Sequence, residues 1–231
     1  MEFTLLWAAL TGVGLALLMV NIVKRLDLIP AAIGSLTDLI LGAAVTGLIT
    51  GRLAAMIIAG TSPFTHPGDI LIVRSGVDTG FASLGALTFV ALTSRRHLAA
   101  AIDVLGPAAL AGLAGWHAGC LYRGACLGIV SSLPWAVAQE GSNVTRHPVE
   151  IYAALLFLIA ALALLWWLRR GVPWIGAAGA GALGLAGAIR LATEPLRPSL
   201  GSGPFGWYVA AIGIGLIGVW AAMLRARNVA Q

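Results

Sequence analysis

Long apolar stretches alternate with short polar or charged clusters along this chain. The apolar stretches lie near residues 3–23, 35–59, 79–94, 99–121, 149–168, 173–193 and 205–224. A helix needs roughly 17–25 mostly apolar residues to cross a bilayer. The pattern therefore predicts an all-α integral membrane protein with about seven transmembrane helices. The third stretch, "TGFASLGALTFVALT", is short and rich in Gly and Ser, so a broken or re-entrant element is an alternative there.

Basic pairs recur at the end of every odd-numbered stretch. They are Lys24 and Arg25, Arg95 and Arg96, Arg169 and Arg170, and Arg225 and Arg227. Cytoplasmic loops carry the excess of Lys and Arg, so this pattern predicts an outer N-terminus and a cytoplasmic C-terminus. No long linker interrupts the chain. We therefore expect one transmembrane helical domain over residues 1–231, with an outer-side loop at 122–148 that carries part of the site.

The amino-acid composition also indicates that this chain lies in a lipid bilayer. Hydrophobic residues make up 59% of the 231 positions and charged residues only 10%, against about 45–50% and about 25% in soluble domains. This charge deficit argues against a soluble fold. It also argues against nucleic-acid binding, although the net charge is +5.

Several arginines contradict the bias that sets the topology, because the prediction places them on the outer side. They are Arg52, Arg123, Arg146, Arg190 and Arg197. An anionic ligand would explain them, since Arg binds phosphate bidentately and stays charged. Arg190 and Glu194 are spaced i, i+4 on one helix face, so a structural ion pair is an alternative for those two. Arg197 lies beyond Pro195 and has no such explanation.

The stretch "TRHPVEIYAA", residues 145–154, opens the fifth predicted span. Pro148 suits a first helical turn, and Glu150 complements the positive end of the helix. Arg146 and His147 then lie at the outer membrane surface. An ordinary helix start with a basic interfacial anchor is the alternative interpretation.

Several motifs together resemble the prolipoprotein diacylglyceryl transferase family. "RHPVEIYAA" is similar to its R-H-P-x-x-L-Y-E motif, and Arg190-x3-Glu194-x2-Arg197 is similar to its R-x3-E-x2-R signature. "GLITGRLAAMI" resembles its G-x-R-x-G-Y segment, and "AIDVLGPAALAG" resembles its D-L-L-A-P-A-L-A-x-G segment. The order of the motifs and the intervals between them also agree.

The resemblance implies an enzyme of the bacterial inner membrane. Such an enzyme moves the diacylglyceryl group of phosphatidylglycerol onto the lipobox cysteine thiol of a prolipoprotein and releases glycerol phosphate. Fixed cations would stabilise the leaving phosphate. The resemblance implies neither a cofactor nor a metal. We predict catalytic roles for His147, His117 and Glu194, and substrate-binding roles for Arg190, Arg197, Arg146, Arg52 and Tyr152.

The chain departs from the family pattern at central positions. The family's third-span histidine has no counterpart in "GFASLGAL", where Phe81, Ala82 and Ser83 stand. In "WHAGCLYRGACLG", His117 stands at an arginine position, Cys120 at an asparagine and Ala125 at a glutamate, and Ala153 replaces the acid of L-Y-E. His117 and His147 are the histidines near the predicted outer face, and an imidazole titrates near neutrality. For His117, a packed or interfacial histidine is the alternative.

The two cysteines, Cys120 and Cys126, are interpreted as small packing residues. A regular helix puts positions i and i+6 on different faces, too far apart for a disulfide. If Gly124 breaks the helix, a disulfide in an oxidising compartment becomes the alternative.

Two other functions stay open at this point. A non-catalytic lipid- or protein-binding membrane subunit would keep the same helices after losing the acid and base residues. A small transporter is the third possibility, but the arginines lie on one side only and no charge relay reaches the cytoplasmic half.

Overall fold

The computed structural model describes residues 4–30, 33–70, 76–123, 126–138, 141–171, 174–198 and 204–229. The side chains of residues 4–6, 122, 123 and 229 also lie outside this description. The α-helices of the described residues are α1 (Thr4–Arg25), α2 (Leu36–Ile58), α3 (Thr79–Thr93), α4 (Leu98–Ala118), α5 (Cys120–Arg123), α6 (Val149–Arg169), α7 (Ala177–Thr193) and α8 (Phe205–Val229). Two 3₁₀ turns, Pro67–Ile70 and Glu194–Leu196, and two short strands, β1 (Val137–Ala138) and β2 (Thr145–Arg146), complete the secondary structure.

The predicted all-helical class is confirmed, with the β1–β2 pair as a small addition. Every predicted apolar stretch coincides with a helix. Within the described residues, five helices are long and apolar enough to cross a membrane: Trp7–Arg25, Leu36–Ile58, Leu98–Ala118, Val149–Arg169 and Phe205–Asn228. Helix α3 is apolar but has only 15 residues, and α7 has 17.

The chain divides into two compact units. The first unit consists of Phe3–Pro30 and Ala99–Gln231, and the second consists of Ala31–Leu98. In the first unit, α4 buries a row of small residues that includes Ala101, Ala108 and Ala111. Helices α6, α7 and α8 pack in sequence. Small side chains let these backbones approach closely, as is usual in membrane bundles.

A residue of α4 caps the N-terminus of helix α7. Its N-cap residue is Gly176, which has no side chain to accept a hydrogen bond. Asp103 of α4 takes this role: its carboxylate accepts the backbone N–H of Gly176 at 2.6 Å and that of Gly179 at 2.9 Å. A helix N-terminus leaves its first N–H groups unpaired, and a carboxylate satisfies them and the helix dipole together.

The second unit is built on a close pair of helices, α2 and α3. The N-cap side chain of Ser35 accepts the N–H of Asp38, and the N-cap side chain of Asp78 accepts the N–H of Phe81. Such caps fix where each helix begins. Asp78 also donates its own backbone N–H to the carbonyl of Gly51 at 3.0 Å, which ties the start of α3 to α2.

Large apolar side chains lie exposed along the long helices. On α6 they include Leu155, Ile159 and Trp166, and on α8 they include Leu216 and Trp220. A soluble protein rarely exposes contiguous apolar surface of this extent. The exposed faces are therefore of the kind that contacts lipid.

Candidate anion site

The end of α7 carries the charged residues that the sequence singled out. Helix α7 ends at Thr193, the 3₁₀ turn Glu194–Leu196 follows, and Arg197 continues in an extended conformation. Arg190 Nη2 lies 3.6 Å from Glu194 Oε2, and Arg197 Nε lies 3.7 Å from the same oxygen. Glu194 therefore lies between two guanidinium groups, and its side chain is buried.

A tyrosine of α8 completes this cluster. Arg190 Nη2 donates to the Tyr208 hydroxyl at 2.8 Å, and that hydroxyl donates to Glu194 Oε2 at 3.3 Å. The guanidinium of Arg190 also lies over the Tyr208 ring, 5.3 Å from its centroid. The hydroxyl therefore links Arg190 to Glu194 by hydrogen bonds, although the direct distance between the two charged groups is longer.

Glu150, in the first turn of α6, joins the cluster to α4. Its Oε2 lies 2.6 Å from His117 Nδ1, and its Oε1 lies 2.5 Å from Arg197 Nη2. The His117 ring stacks on Phe157 with the centroids 5.2 Å apart. One carboxylate thus contacts both a predicted catalytic histidine and a predicted phosphate-binding arginine.

Two guanidinium nitrogens of the cluster have no hydrogen-bond partner, although one of them is in ion-pair range of Glu194. Among the buried side-chain atoms of the described residues, Arg190 Nη1 and Arg197 Nε have no hydrogen-bond partner. A buried donor without an acceptor is costly, and cationic donors more so. These nitrogens belong to two arginines that both contact Glu194. The donor chemistry suits a phosphate.

The predicted residues in the loop before α6 and in the first turns of α6 form a second group. Arg146 Nη1 donates to the carbonyl of Gly128 at 3.2 Å. His147 Nδ1 lies 3.4 Å from the Tyr152 hydroxyl, and Trp135 Nε1 donates to that same hydroxyl at 2.7 Å. The strands β1 and β2 pair antiparallel, with Val137 opposite Arg146.

Backbone hydrogen bonds connect this loop to the arginine cluster. Gly128 donates its N–H to the carbonyl of His147 at 2.7 Å, and Ile129 donates to the carbonyl of Leu196 at 2.9 Å. Leu196 is the last residue of the 3₁₀ turn that begins at Glu194. The loop therefore lies against the turn that carries Glu194.

A disulfide bond joins Cys120 to Cys126, with the Cα atoms 5.0 Å apart. The interpretation of these cysteines as packing residues is wrong, because α4 ends at Ala118 and a new short helix begins at Cys120. The spacing rule for a regular helix therefore does not apply. The backbone carbonyl of Cys126 accepts the N–H of Glu150 at 3.4 Å, so a hydrogen bond connects the disulfide-bonded segment to the first turn of α6.

The structure brings most of the predicted residues together. His117, Arg190, Glu194 and Arg197 form the cluster just described, and Arg146, His147 and Tyr152 lie in the adjoining loop and helix start. Arg52 belongs to the second unit, where it is 3% exposed and donates to the carbonyls of Asp69 and Gly76 at 2.8 and 3.0 Å.

The other positions that depart from the family pattern are placed as follows. Phe81, Ala82 and Ser83 lie in the first turns of α3, where the Ser83 hydroxyl donates to the carbonyl of Thr79. Ala153 is fully buried in α6. Ala125 lies outside the described residues, and so does the side chain of Arg123, one of the arginines predicted on the outer side. None of the described positions in this group supplies an acid or a base.

Sequence reasoning missed the central roles of Glu150 and Tyr208. Glu150 was assigned only to the helix end, and Tyr208 carried no motif. An acidic residue in the first turn of an apolar span indicates that a partner group is present, because ionisable side chains within a membrane usually pair with another group. Nothing in the local sequence of Tyr208 points to Arg190, 18 positions earlier in the chain.

No group of three or more His, Cys, Asp or Glu side chains arranged to hold a metal ion occurs in the part of the chain that the structure describes. The cluster is instead built from guanidinium groups and carboxylates.

An apolar helical bundle with a cluster of partly buried arginines and carboxylates is the class of protein that these features define. Residues 3–226 match the family described as prolipoprotein diacylglyceryl transferase. The chain belongs to this family, as the motifs predicted, and it is accordingly a membrane protein.

Curated relatives agree with this assignment. The chain is similar to proteins named phosphatidylglycerol–prolipoprotein diacylglyceryl transferase from three bacteria. For the Nitratidesulfovibrio vulgaris protein the identity is 32% over 160 residues, which span 64% of this chain and 60% of that relative. For Methylococcus capsulatus it is 31% over 180 residues, 74% of this chain and 68% of the relative. For Chlamydia trachomatis it is 29% over 183 residues, 73% of this chain and 67% of the relative.

Proposed function

We propose that this protein transfers the diacylglyceryl group of phosphatidylglycerol to the lipobox cysteine thiol of a prolipoprotein, in the bacterial inner membrane. The observation that carries the proposal is that Arg190 and Arg197 each have a buried guanidinium nitrogen without a hydrogen-bond partner. In this reaction a C–S bond forms at the glyceryl carbon. The C–O bond to the phosphate breaks, and its electron pair leaves with glycerol phosphate.

The arginine cluster has the chemistry that this leaving group needs. Charge develops on the phosphate as the C–O bond breaks, and preorganised cations in a water-poor site stabilise it. Glu194 and Tyr208 hold Arg190 in place, and Glu150 holds Arg197. Arg146, Tyr152 and Arg52 are further candidates for binding the lipid head group. The loop at 122–148 would contribute Arg146, and α6 would contribute Tyr152.

We further propose about seven membrane spans, with the N-terminus outside and the C-terminus in the cytoplasm. The basic residues support this, because Lys24 and Arg25 lie in the last turn of α1, Arg169 in that of α6 and Arg227 in that of α8. The disulfide supports it as well, since such bonds persist in oxidising compartments outside the cytoplasm. Cys120 and Cys126 would then lie on the outer side, together with the cluster.

The proposal is tested in vesicles that contain phosphatidylglycerol labelled in its glycerol head group, with the purified protein and a lipobox peptide. Release of labelled glycerol phosphate and a matching thioether on the peptide are the expected results. We expect Arg190→Ala and Arg197→Ala to lower the rate about 10²- to 10³-fold, the usual effect of losing a charge-stabilising donor. Arg95→Ala is the control, because Arg95 is exposed in the second unit.

A non-catalytic lipid-binding subunit is the second candidate. It is favoured by the absence of an ionisable group among Phe81, Ala82 and Ser83 and by the buried Ala153. A folded protein that binds phosphatidylglycerol through Arg190 but forms no thioether, in vesicles or in cells depleted of their own transferase, would establish this candidate and exclude the enzyme.

A further inference from the structure

The four histidines of the chain differ in what their rings contact. His66 and His97 are exposed in the second unit, and His117 and His147 belong to the first unit. In a neutral imidazole one ring nitrogen carries the proton and the other accepts one, so the partner of each nitrogen decides its role. The contacts of His117 and His147 can therefore be compared directly.

The contacts of His147 do not fix its tautomer. The Trp135 indole can only donate, and it donates to the Tyr152 hydroxyl at 2.7 Å. The same hydroxyl lies 3.4 Å from His147 Nδ1. Its oxygen can donate one hydrogen bond and accept two, so either the hydroxyl or the ring can be the donor of this contact.

The contacts of His117 do fix its tautomer. Its Nδ1 lies 2.6 Å from a carboxylate oxygen of Glu150, and an ionised carboxylate can only accept. Nδ1 therefore carries the proton of the neutral ring, and Nε2 keeps its lone pair.

We propose that Glu150 positions His117 as the base that removes the proton from the acceptor thiol. This inference rests on the proposed transfer reaction and selects one of its two candidate histidines. Glu150 fixes the tautomer through Oε2, and the stacked Phe157 ring fixes the plane of the imidazole. Through Oε1 the same carboxylate holds Arg197, so the base and the phosphate-binding cation are held by one group.

The proton and the electrons balance in this step. The thiol gives its proton to His117 Nε2, and the sulfur lone pair attacks the glyceryl carbon as the C–O bond breaks. A thiolate is needed because the thiol itself is a poor nucleophile. The imidazolium that forms is balanced by the Glu150 carboxylate. The leaving phosphate monoester carries one more negative charge than the diester, and it accepts the proton from His117 and so restores the base.

Activity of the purified full chain in phosphatidylglycerol vesicles with a lipobox peptide is the first test. We expect His117→Ala to lower kcat about 10²- to 10⁴-fold, the range for a general base. Added imidazole is expected to restore part of the rate, because the removed ring leaves space beside Phe157. His147→Ala is not expected to respond to imidazole. His97→Ala, an exposed histidine, is the control and keeps the wild-type rate.

A double-mutant cycle separates the two contacts of Glu150. We expect Glu150→Gln to lower kcat at least tenfold in the wild-type protein but not to lower it further in the His117→Ala protein. Groups that act as one unit are non-additive in this way. If Glu150 acted only through Arg197, its substitution would cost the same factor in both proteins, and that result would overturn the inference.

The tautomers give a readout that does not depend on activity. In ¹⁵N spectra of the wild-type protein we expect the neutral His117 ring to be protonated on Nδ1, because Glu150 accepts from this nitrogen. Protonation of His117 on Nε2 would overturn the inference. If the wild-type protein transfers lipid but His117→Ala is fully active, the inference fails and the proposed function stands. If the wild-type protein transfers nothing, both fail.

Discussion

Arg190 donates from Nη2 to the hydroxyl of Tyr208 at 2.8 Å, across the interface between α7 and α8. The same hydroxyl donates to Glu194, so one uncharged group is hydrogen-bonded both to the guanidinium of Arg190 and to the carboxylate of Glu194. Tyr208 and Glu194 contact Arg190 through Nη2, and Nη1 has no hydrogen-bond partner. The hydroxyl thus orients the guanidinium group without occupying Nη1, the nitrogen that we assign to the lipid phosphate.

Tyr208→Phe tests this role of the hydroxyl. We expect kcat/KM for phosphatidylglycerol to fall about 5- to 10-fold, because a hydrogen bond within a protein contributes about 1 kcal/mol and about 1.4 kcal/mol corresponds to tenfold. Trp207→Phe is the control on the neighbouring position, where the side chain is 72% exposed. An unchanged kcat/KM in Tyr208→Phe would show that the hydroxyl does not orient Arg190.

Gly187 is one of the glycines that let α7 and α8 approach closely in the interface that carries this contact. A Cβ added at Gly187 of α7 would lie 2.6 Å from the carbonyl oxygen of Tyr208 and 3.0 Å from Cβ of Ala211. At Gly181 of the same helix, an added Cβ has nothing within 4 Å among the described residues. The two positions therefore form a matched pair for substitution.

We expect Gly187→Ala to destabilise the protein in detergent by about 1–3 kcal/mol, the usual cost of overpacking, and to lower transfer because Tyr208 is displaced. Gly181→Ala is expected to be neutral, or stabilising by about 0.5–1 kcal/mol, because alanine loses less backbone entropy in a helix. Denaturant titration of both variants measures the difference. Equal stability of the two would contradict the close approach of α7 and α8.

The helices could be predicted from the sequence because the bilayer imposes a long apolar stretch on each span. The predicted segment 149–168 agrees with α6, Val149–Arg169, within one residue. The segment 99–121 differs, since α4 ends at Ala118 and α5 starts at Cys120. Hydropathy does not register that break, because the glycine, alanine and cysteine around it are as apolar as the helix.

The candidate site could be predicted only where its residues lie close together in sequence. Arg190 and Glu194 share a helix face by their spacing, and Arg197 follows one turn later, so the motif alone brings them together. Glu150 and Tyr208 reach the same cluster from other helices. A single sequence carries no signal for such pairs, since each partner is set by how the helices pack.

Asp103 predicts a stability effect away from the site. Its carboxylate accepts the N–H groups of Gly176 and Gly179 at the start of α7. We expect Asp103→Asn to lower the free energy of unfolding by about 1 kcal/mol, and Asp103→Ala by up to about 2 kcal/mol, as for the loss of a helix cap.

Asp27→Asn is the matched control for this charge change. Asp27 is exposed and has φ of 56°, a conformation that asparagine also tolerates. Thermal unfolding of the variants in detergent gives the comparison. If Asp103→Asn unfolds at the same temperature as Asp27→Asn, the carboxylate does not cap α7.

The disulfide gives the last prediction, because it lies between the two helices that hold the proposed base and its positioning residue. Cys120 follows α4, which carries His117, and the carbonyl of Cys126 accepts the N–H of Glu150. We expect the Cys120→Ala/Cys126→Ala double variant to lose about 2 kcal/mol of stability, as for cross-linking a short loop. Transfer should also fall several-fold, because the start of α6 is less firmly placed.

Treatment with a phosphine reductant should reproduce both losses in the wild-type protein and change nothing in the double variant. Peptide mass spectrometry without reduction checks the bond itself, and free thiols at both positions in protein purified from the membrane would contradict it.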